Sequence, residues 1–247
     1  VYVDDQNVYC TPGGKQGAIA ALDKKTGKVV WQSKDFTANA QYSSIVPATV
    51  DGTRELIQLT MNDLVGVAEK DGALLWKSPW PQGRTAVIPT PVYHDGYVYI
   101  TAGYGAGCKL VKISGNKAET VYENKVMKNH HGGVVLVDQH IYGYSDGPGW
   151  ICQDFMTGKE VWSSKKLGKG AVTAVDGMLY CLEEDSGTVA LVEASPSGWN
   201  EHGRFKLEPQ SEKRNPQGKI WTHPVIANGK LYLRDQEIFY CFDISGK

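Results

Sequence analysis

Apolar residues along this chain fall in short alternating runs, each cut off by glycine, aspartate, asparagine or a Thr-Gly pair. Alternation with period two marks half-buried strands, and punctuation by Gly, Asp and Asn marks tight antiparallel hairpins. The run Pro91-Val92-Tyr93-His94-Asp95-Gly96-Tyr97-Val98-Tyr99 shows the pattern most clearly, and Ala174-Val175-Asp176-Gly177-Met178-Leu179-Tyr180 repeats it. Helical periodicity is nearly absent.

A second phrase follows the first at a steady interval: Ala21-Leu22-Asp23-Lys24-Lys25-Thr26-Gly27-Lys28-Val29-Val30-Trp31, then Glu69-Lys70-Asp71-Gly72-Ala73-Leu74-Leu75-Trp76, then Gln153-Asp154-Phe155-Met156-Thr157-Gly158-Lys159-Glu160-Val161-Trp162. Four short strands in a unit of roughly 40–45 residues are the signature of propeller blades. With strands named A to D from axis to rim, A strands are expected at Val1–Val3, Ser44–Thr49, Ile88–Tyr93, Gly133–Val137, Ala171–Val175 and Thr222–Ala227. The fold class is therefore all-β, a β-propeller of four-stranded antiparallel blades. About six blades or partial blades are visible, as from a seven- or eight-bladed ring, so residues 1–247 read as one propeller domain cut at both ends. Trp31, Trp76, Tyr122 and Trp162, near the start of each D strand, read as plugs between neighbouring blades.

Charge and composition narrow the partners. The formal net charge is −1, from 26 basic and 27 acidic residues that are interspersed, so nothing resembles a nucleic-acid footprint. No run of ~18 apolar residues suggests a membrane span, and the first residues read as a strand rather than a leader. The five cysteines, Cys10, Cys108, Cys152, Cys181 and Cys241, have no metal-ligand or haem-attachment spacing and read as small hydrophobes inside strands.

The two phrases together resemble the pyrroloquinoline-quinone-like β-propeller repeat family, whose unit carries Asp-Gly-x-Val-Tyr and Ala-Leu-Asp-x-x-Thr-Gly-Lys-x-x-Trp; residues 21–31 match the latter almost position for position. Phrases like Met127-Lys128-Asn129-His130-His131-Gly132-Gly133-Val134-Val135-Leu136 are similar to secreted bacterial proteins labelled polyvinyl-alcohol-dehydrogenase-like. The resemblance implies a periplasmic or secreted location. It implies two functions: a scaffold like the propeller lipoprotein of the outer-membrane assembly machinery, or an alcohol dehydrogenase using pyrroloquinoline quinone (PQQ) with Ca²⁺. In the family's enzymes the quinone lies between a tryptophan and a disulfide of adjacent cysteines, and this chain has no adjacent cysteine pair.

Antiparallel order sends the D–A connections and B–C loops to one face and the A–B and C–D turns to the other. Counting back from each Asp-Gly turn puts Ser44, Ile88, His131, Lys169 and Trp221 at equivalent places on the first face, with His130 and His223 nearby. This ligand-binding set is expected at the axial mouth, and alternation along a strand would turn His131 inward and His130 away. Imidazoles there could take a metal, with His131 and His223 the candidates, or hold an anion with Lys169. Tyr104, Tyr144, Trp150 and Arg234, in or beside B–C loops, are expected to form a rim for a protein partner, a carbohydrate or another small molecule. The polar stretch 208–219 reads as a mobile surface loop. No nucleophile–base pair or carboxylate pair is defined by spacing. A binding or scaffold module is the preferred reading, and a quinoprotein-like dehydrogenase the alternative.

Overall fold

Two-residue turns set the hairpins. In the computed structural model, which describes residues 1–80 and 86–246, Asp51-Gly52, Asp95-Gly96, Asp176-Gly177 and Asn228-Gly229 all have positive φ at both positions. That geometry matches the twist of paired strands and suits glycine at its second position. The Thr-Gly turns are held differently. Asp23 Oδ1 accepts the backbone N–H and the hydroxyl of Thr26, both at 2.7 Å, and Asp154 holds Thr157 in the same way at the same distances. Hydrogen bonds from Thr26 keep the Asp23 carboxyl below the usual carboxylate range.

These turns generate sheets whose strand order follows chain order. The chain divides into two compact units, Val1–Lys128 and Asn129–Lys247. The first holds β1–β4 (Tyr2–Val3, Asn7–Cys10, Ala20–Asp23, Val29–Gln32), β5–β8 (Val46–Val50, Thr53–Leu59, Asp63–Ala68, Leu74–Pro79) and β9–β12 (Val92–His94, Tyr97–Ala102, Gly107–Ser114, Lys117–Asn124). The second holds β13–β16 (Val134–Val137, His140–Ser145, Gly149–Asp154, Glu160–Ser164), β17–β20 (Gly170–Val175, Met178–Glu183, Thr188–Glu193, Glu201–Lys206) and the three-stranded β21–β23 (Val225–Ala227, Lys230–Asp235, Ile238–Asp243). There is no helix among the described residues, and hence none long and apolar enough to cross a membrane.

Cores lie between successive sheets of a unit. In the first unit Tyr9, Ile19 and Ala21 meet Leu56, Val65 and Val67, and Ile57, Leu59 and Trp76 meet Val98, Ile100 and Val111. In the second, Tyr142, Trp150 and Cys152 meet Leu179, Cys181 and Ala190, while Leu182 and Val189 meet Leu231, Leu233 and Tyr240. Each large apolar side chain buried in this way contributes about 1.5–3 kcal/mol. D-strand tryptophans tie one sheet to the next: Trp31 Nε1 donates to Glu69 O at 3.0 Å, and Trp162 Nε1 to Ser195 O at 2.8 Å.

Two expectations are corrected. The A strands β9 and β21 begin later than the apolar pattern implies, at Val92 rather than Ile88 and at Val225 rather than Thr222. Pro91 and Pro224 directly precede them, and proline has no N–H to give a ladder. The residues before those strands are thus connectors, free of strand alternation. The stretch 208–219 is not a loose loop. Ser211 donates its N–H to Asp235 Oδ2 at 3.0 Å and its hydroxyl to Glu237 Oε2 at 2.6 Å, Gln210 Nε2 reaches Ser186 O, and Lys219 pairs with Asp185. Gln210, Ser211 and Lys219 are thus spent on the structure beneath.

Candidate functional site

The second unit gathers a cluster of ionisable groups where three connectors enter β13, β17 and β21. Close backbone packing makes this possible. A Cβ on Gly132 would lie 1.8 Å from Gly170 O, and one on Gly170 would lie 1.8 Å from Leu182 O, so neither position admits a side chain. Val172 N–H donates to Gly132 O at 3.2 Å, Glu184 N–H to Lys169 O at 2.8 Å and Ile220 N–H to Glu184 O at 2.8 Å. Asn129 braces the first connector by donating its Nδ2 to Gly133 O and Tyr144 O, at 2.9 and 3.0 Å.

Two linked polar groups sit on this frame. His131 and Glu184 are 7% and 8% exposed, and His131 Nε2 lies 2.5 Å from Glu184 Oε2. Burial would raise the Glu184 carboxyl, but hydrogen bonds from His131 and Trp221 and the charges of His131 and Lys169 hold it below its ordinary range. Ionised, it only accepts, so His131 Nε2–H donates. Trp221 Nε1–H donates to the same oxygen at 3.0 Å. His131 Nδ1 is buried with no hydrogen-bond partner among the described residues. His223 Nε2–H donates to the His131 carbonyl at 2.7 Å.

The second group is Lys169, whose ammonium donates to Asp146 Oδ1 at 2.7 Å and to His130 Nδ1 at 2.9 Å. An ammonium has no lone pair, so His130 Nδ1 must accept, which fixes a neutral ring with its proton on Nε2. Burial, Lys169 and His131 lower the tendency of His130 to take a second proton, outweighing Asp146 and Glu184. The rings of His130 and His131 are 5.2 Å apart, and those of His131 and Trp221 are 5.7 Å apart. Both histidines precede β13, so the strand alternation that would separate them does not apply.

His130, His131, Lys169, Trp221 and His223 are thus brought together. Ser44 belongs to the other unit, where its N–H donates to Thr90 Oγ1. Among the rim candidates, Trp150 is 1% exposed, its Nε1 donating to Gly168 O and its ring set against Tyr144 and Trp199. It is a core residue, because it shares a face of β15 with Cys152, toward the packed sheet. Tyr144 is half-buried against the same core. Arg234 is exposed, with Nε donating to Gln236 O at 2.6 Å, and Tyr104 is exposed at a positive-φ turn of the first unit. Glu184 and Asp146 are the residues that repeat alignment misses. The available signal is their place in B–C turns, the same end of a sheet as the connectors.

The donors do not suit the implied quinone. Lys169 and His131, which would face its carboxylates, are already paired with the carboxylates of Asp146 and Glu184, and the five cysteines are free thiols. Of the metal candidates His131 and His223, one Nε2 serves Glu184 and the other a backbone carbonyl. Among the described residues no group of three or more His, Cys, Asp or Glu side chains is arranged to hold a metal.

Sequential antiparallel sheets stacked through apolar faces define a β-propeller of the PQQ-like repeat class. The family model described as outer membrane protein assembly factor BamB matches residues 1–164, and the chain belongs to that family. Among solved structures, BamB from Moraxella catarrhalis is similar with a TM-score of 0.69 at 16% identity, over 97% of this chain and 67% of that one. The β-propeller domain of Cps50 (Swd1) from Myceliophteria thermophila aligns with a TM-score of 0.62 at 13% identity, covering 99% of this chain and 85% of that one. The computationally designed Ika8 protein aligns at 0.54 and 13% identity, covering 98% and 82%. No curated protein matches the chain in sequence.

Proposed function

We propose that this chain is an extracytoplasmic binding module, a scaffold that recognises a protein partner through the connector and B–C-turn face of Asn129–Lys247. The observation that carries this reading is Trp221. Its indole is 59% exposed, yet its N–H is fixed to a buried carboxylate. A large aromatic held in one orientation before binding gives contact area at low entropic cost, as at interface hot spots. Beside it lies an apolar cleft of about 440 Å³, walled by Val225, Tyr232, Phe239 and His223 and edged by Arg234. Family membership supports the location and the role, since the matched model describes an outer membrane protein assembly factor.

A photoreactive residue placed at Arg234 should give a discrete cross-linked protein in the native cell. The same residue at Lys159, in a C–D turn of the same unit, should give none. Replacing Trp221 by alanine in the Arg234 background should weaken that capture by about 2 kcal/mol, roughly thirtyfold. Cross-links from Lys159 alone would overturn the assignment of the face.

A further inference from the structure

We infer that His130 and Lys169 form a proton-operated latch on this face: neutral His130 holds Lys169 and its connector in place, and a protonated His130 releases them. Its role in partner release rests on the binding reading above, whereas the latch itself does not. The argument begins with hydrogen-bond inventory. Lys169 is bound on one side by Asp146 Oδ1 and on the other by His130 Nδ1, and only a ring lacking a proton on Nδ1 can receive it. Adding that proton sets two donors and two positive charges against each other at the 2.9 Å now occupied by one hydrogen bond.

The surroundings offer a protonated ring little relief. Among the described residues, the titratable and charged groups that act on it are Lys169 on the connector into β17, His131 next in the chain, Asp146 in the β14–β15 turn and Glu184 in the β18–β19 turn, with His223 on the connector into β21 bound to the His131 carbonyl. Asp146 is committed to Lys169, and Glu184 to His131 and Trp221. Protonation therefore displaces Lys169. The Lys169 carbonyl is bonded to the Glu184 N–H, so the displacement is passed to the residue that holds Trp221. Mild acid should loosen the face and let its partner go.

The test uses His130→Asn, whose amide oxygen can take the place of Nδ1 as acceptor for Lys169 but cannot be protonated. In the purified chain, ¹⁵N imidazole spectra should show His130 as the Nε2–H tautomer at about pH 7.5, taking its second proton only below the ordinary histidine value of about 6.5. Amide hydrogen exchange in 129–133 and 168–170 should match between wild type and His130→Asn at about pH 7.5, and be about tenfold faster in wild type near pH 5.5. Comparing the two proteins at one pH removes the intrinsic pH dependence of exchange. A His130 already charged at neutral pH, or equal exchange of both proteins in acid, would overturn the latch. Cross-linking from Arg234 should fall severalfold on the same acidification in wild type and hold steady in His130→Asn. No cross-link at either pH would sink the binding reading alone, with the imidazole titration still deciding the latch.

Discussion

The two units build the same sheets but hold the approaches to their inner strands with different chemistry. In Val1–Lys128, the segment before β5 is pinned by Gln58, whose Nε2 donates to Ser43 O at 3.1 Å and whose Oε1 accepts from Thr11 at 2.7 Å. Its neighbours are Thr90 and backbone pairs from Tyr42 and Ser43 to Val87. None of these groups titrates. In Asn129–Lys247 the corresponding work falls to Glu184, Lys169, Asp146 and two histidines. A propeller sheet needs only that its connector be held, and an amide suffices for that. Where ionisable groups take the same place, the connector gains a dependence on protons and a fixed aromatic, neither of which is found among the described groups that pin the segment before β5.

The largest test of this difference removes the central group. Replacing Glu184 by leucine leaves His131 buried and Trp221 unheld, and should cost about 3–5 kcal/mol in urea unfolding at neutral pH. Gln58→Leu should cost only about 1–3 kcal/mol, because neutral groups are left unpaired. Equal losses would erase the distinction. Next comes Gly170→Ala, whose added Cβ would strike the Leu182 carbonyl. It should lower stability by about 1–3 kcal/mol in thermal denaturation, since backbone on both sides leaves little room to relax.

Acid should separate Glu184 and His130 of the second unit from Glu55 of the first by sign. Glu184 and His130 both take up protons less readily when folded. Their contributions are present above the unfolded values and disappear as pH falls below about 6.5 for the histidine and about 4.5 for the carboxylate. Buried Glu55 in the first unit, held to Trp76 Nε1 at 2.6 Å, is pushed up by burial. Its contribution is fullest below its unfolded value and is lost as pH rises through the folded one. Hydrogen-exchange protection, taken relative to the intrinsic rate at each pH, should therefore fall from pH 7 to about 4 around 129–133 but not in β6. The smallest expected effects are matched ones: Trp31→Phe and Trp162→Phe each lose one indole hydrogen bond to a carbonyl of the next sheet, and each should cost about 1 kcal/mol. Unequal costs would show that the two units do not share the same plug.

How much could be read beforehand differs by feature. Asp95-Gly96, Asp176-Gly177 and Asp23-x-x-Thr26-Gly27 are local codes, since the residues that make each turn are the ones that stabilise it. Counting from those turns also brought His131, Lys169 and Trp221 to one level. Counting could not reveal that His131 and Trp221 share the Glu184 carboxylate, or that Asp146 holds Lys169, because those partners come from turns 23 to 53 residues away along the chain. Trp150 was misplaced for a related reason: a tryptophan beside a loop looks like a rim residue until the facing sheet is known.

Strand identity, turn type and repeat length were written in the chain alone, because each arises among residues a few positions apart. Which histidine meets which carboxylate, and whether an aromatic lies in the core or on the face, was settled only when separate sheets stacked. Those outcomes depend on distances of a few ångströms between groups that the chain itself keeps far apart.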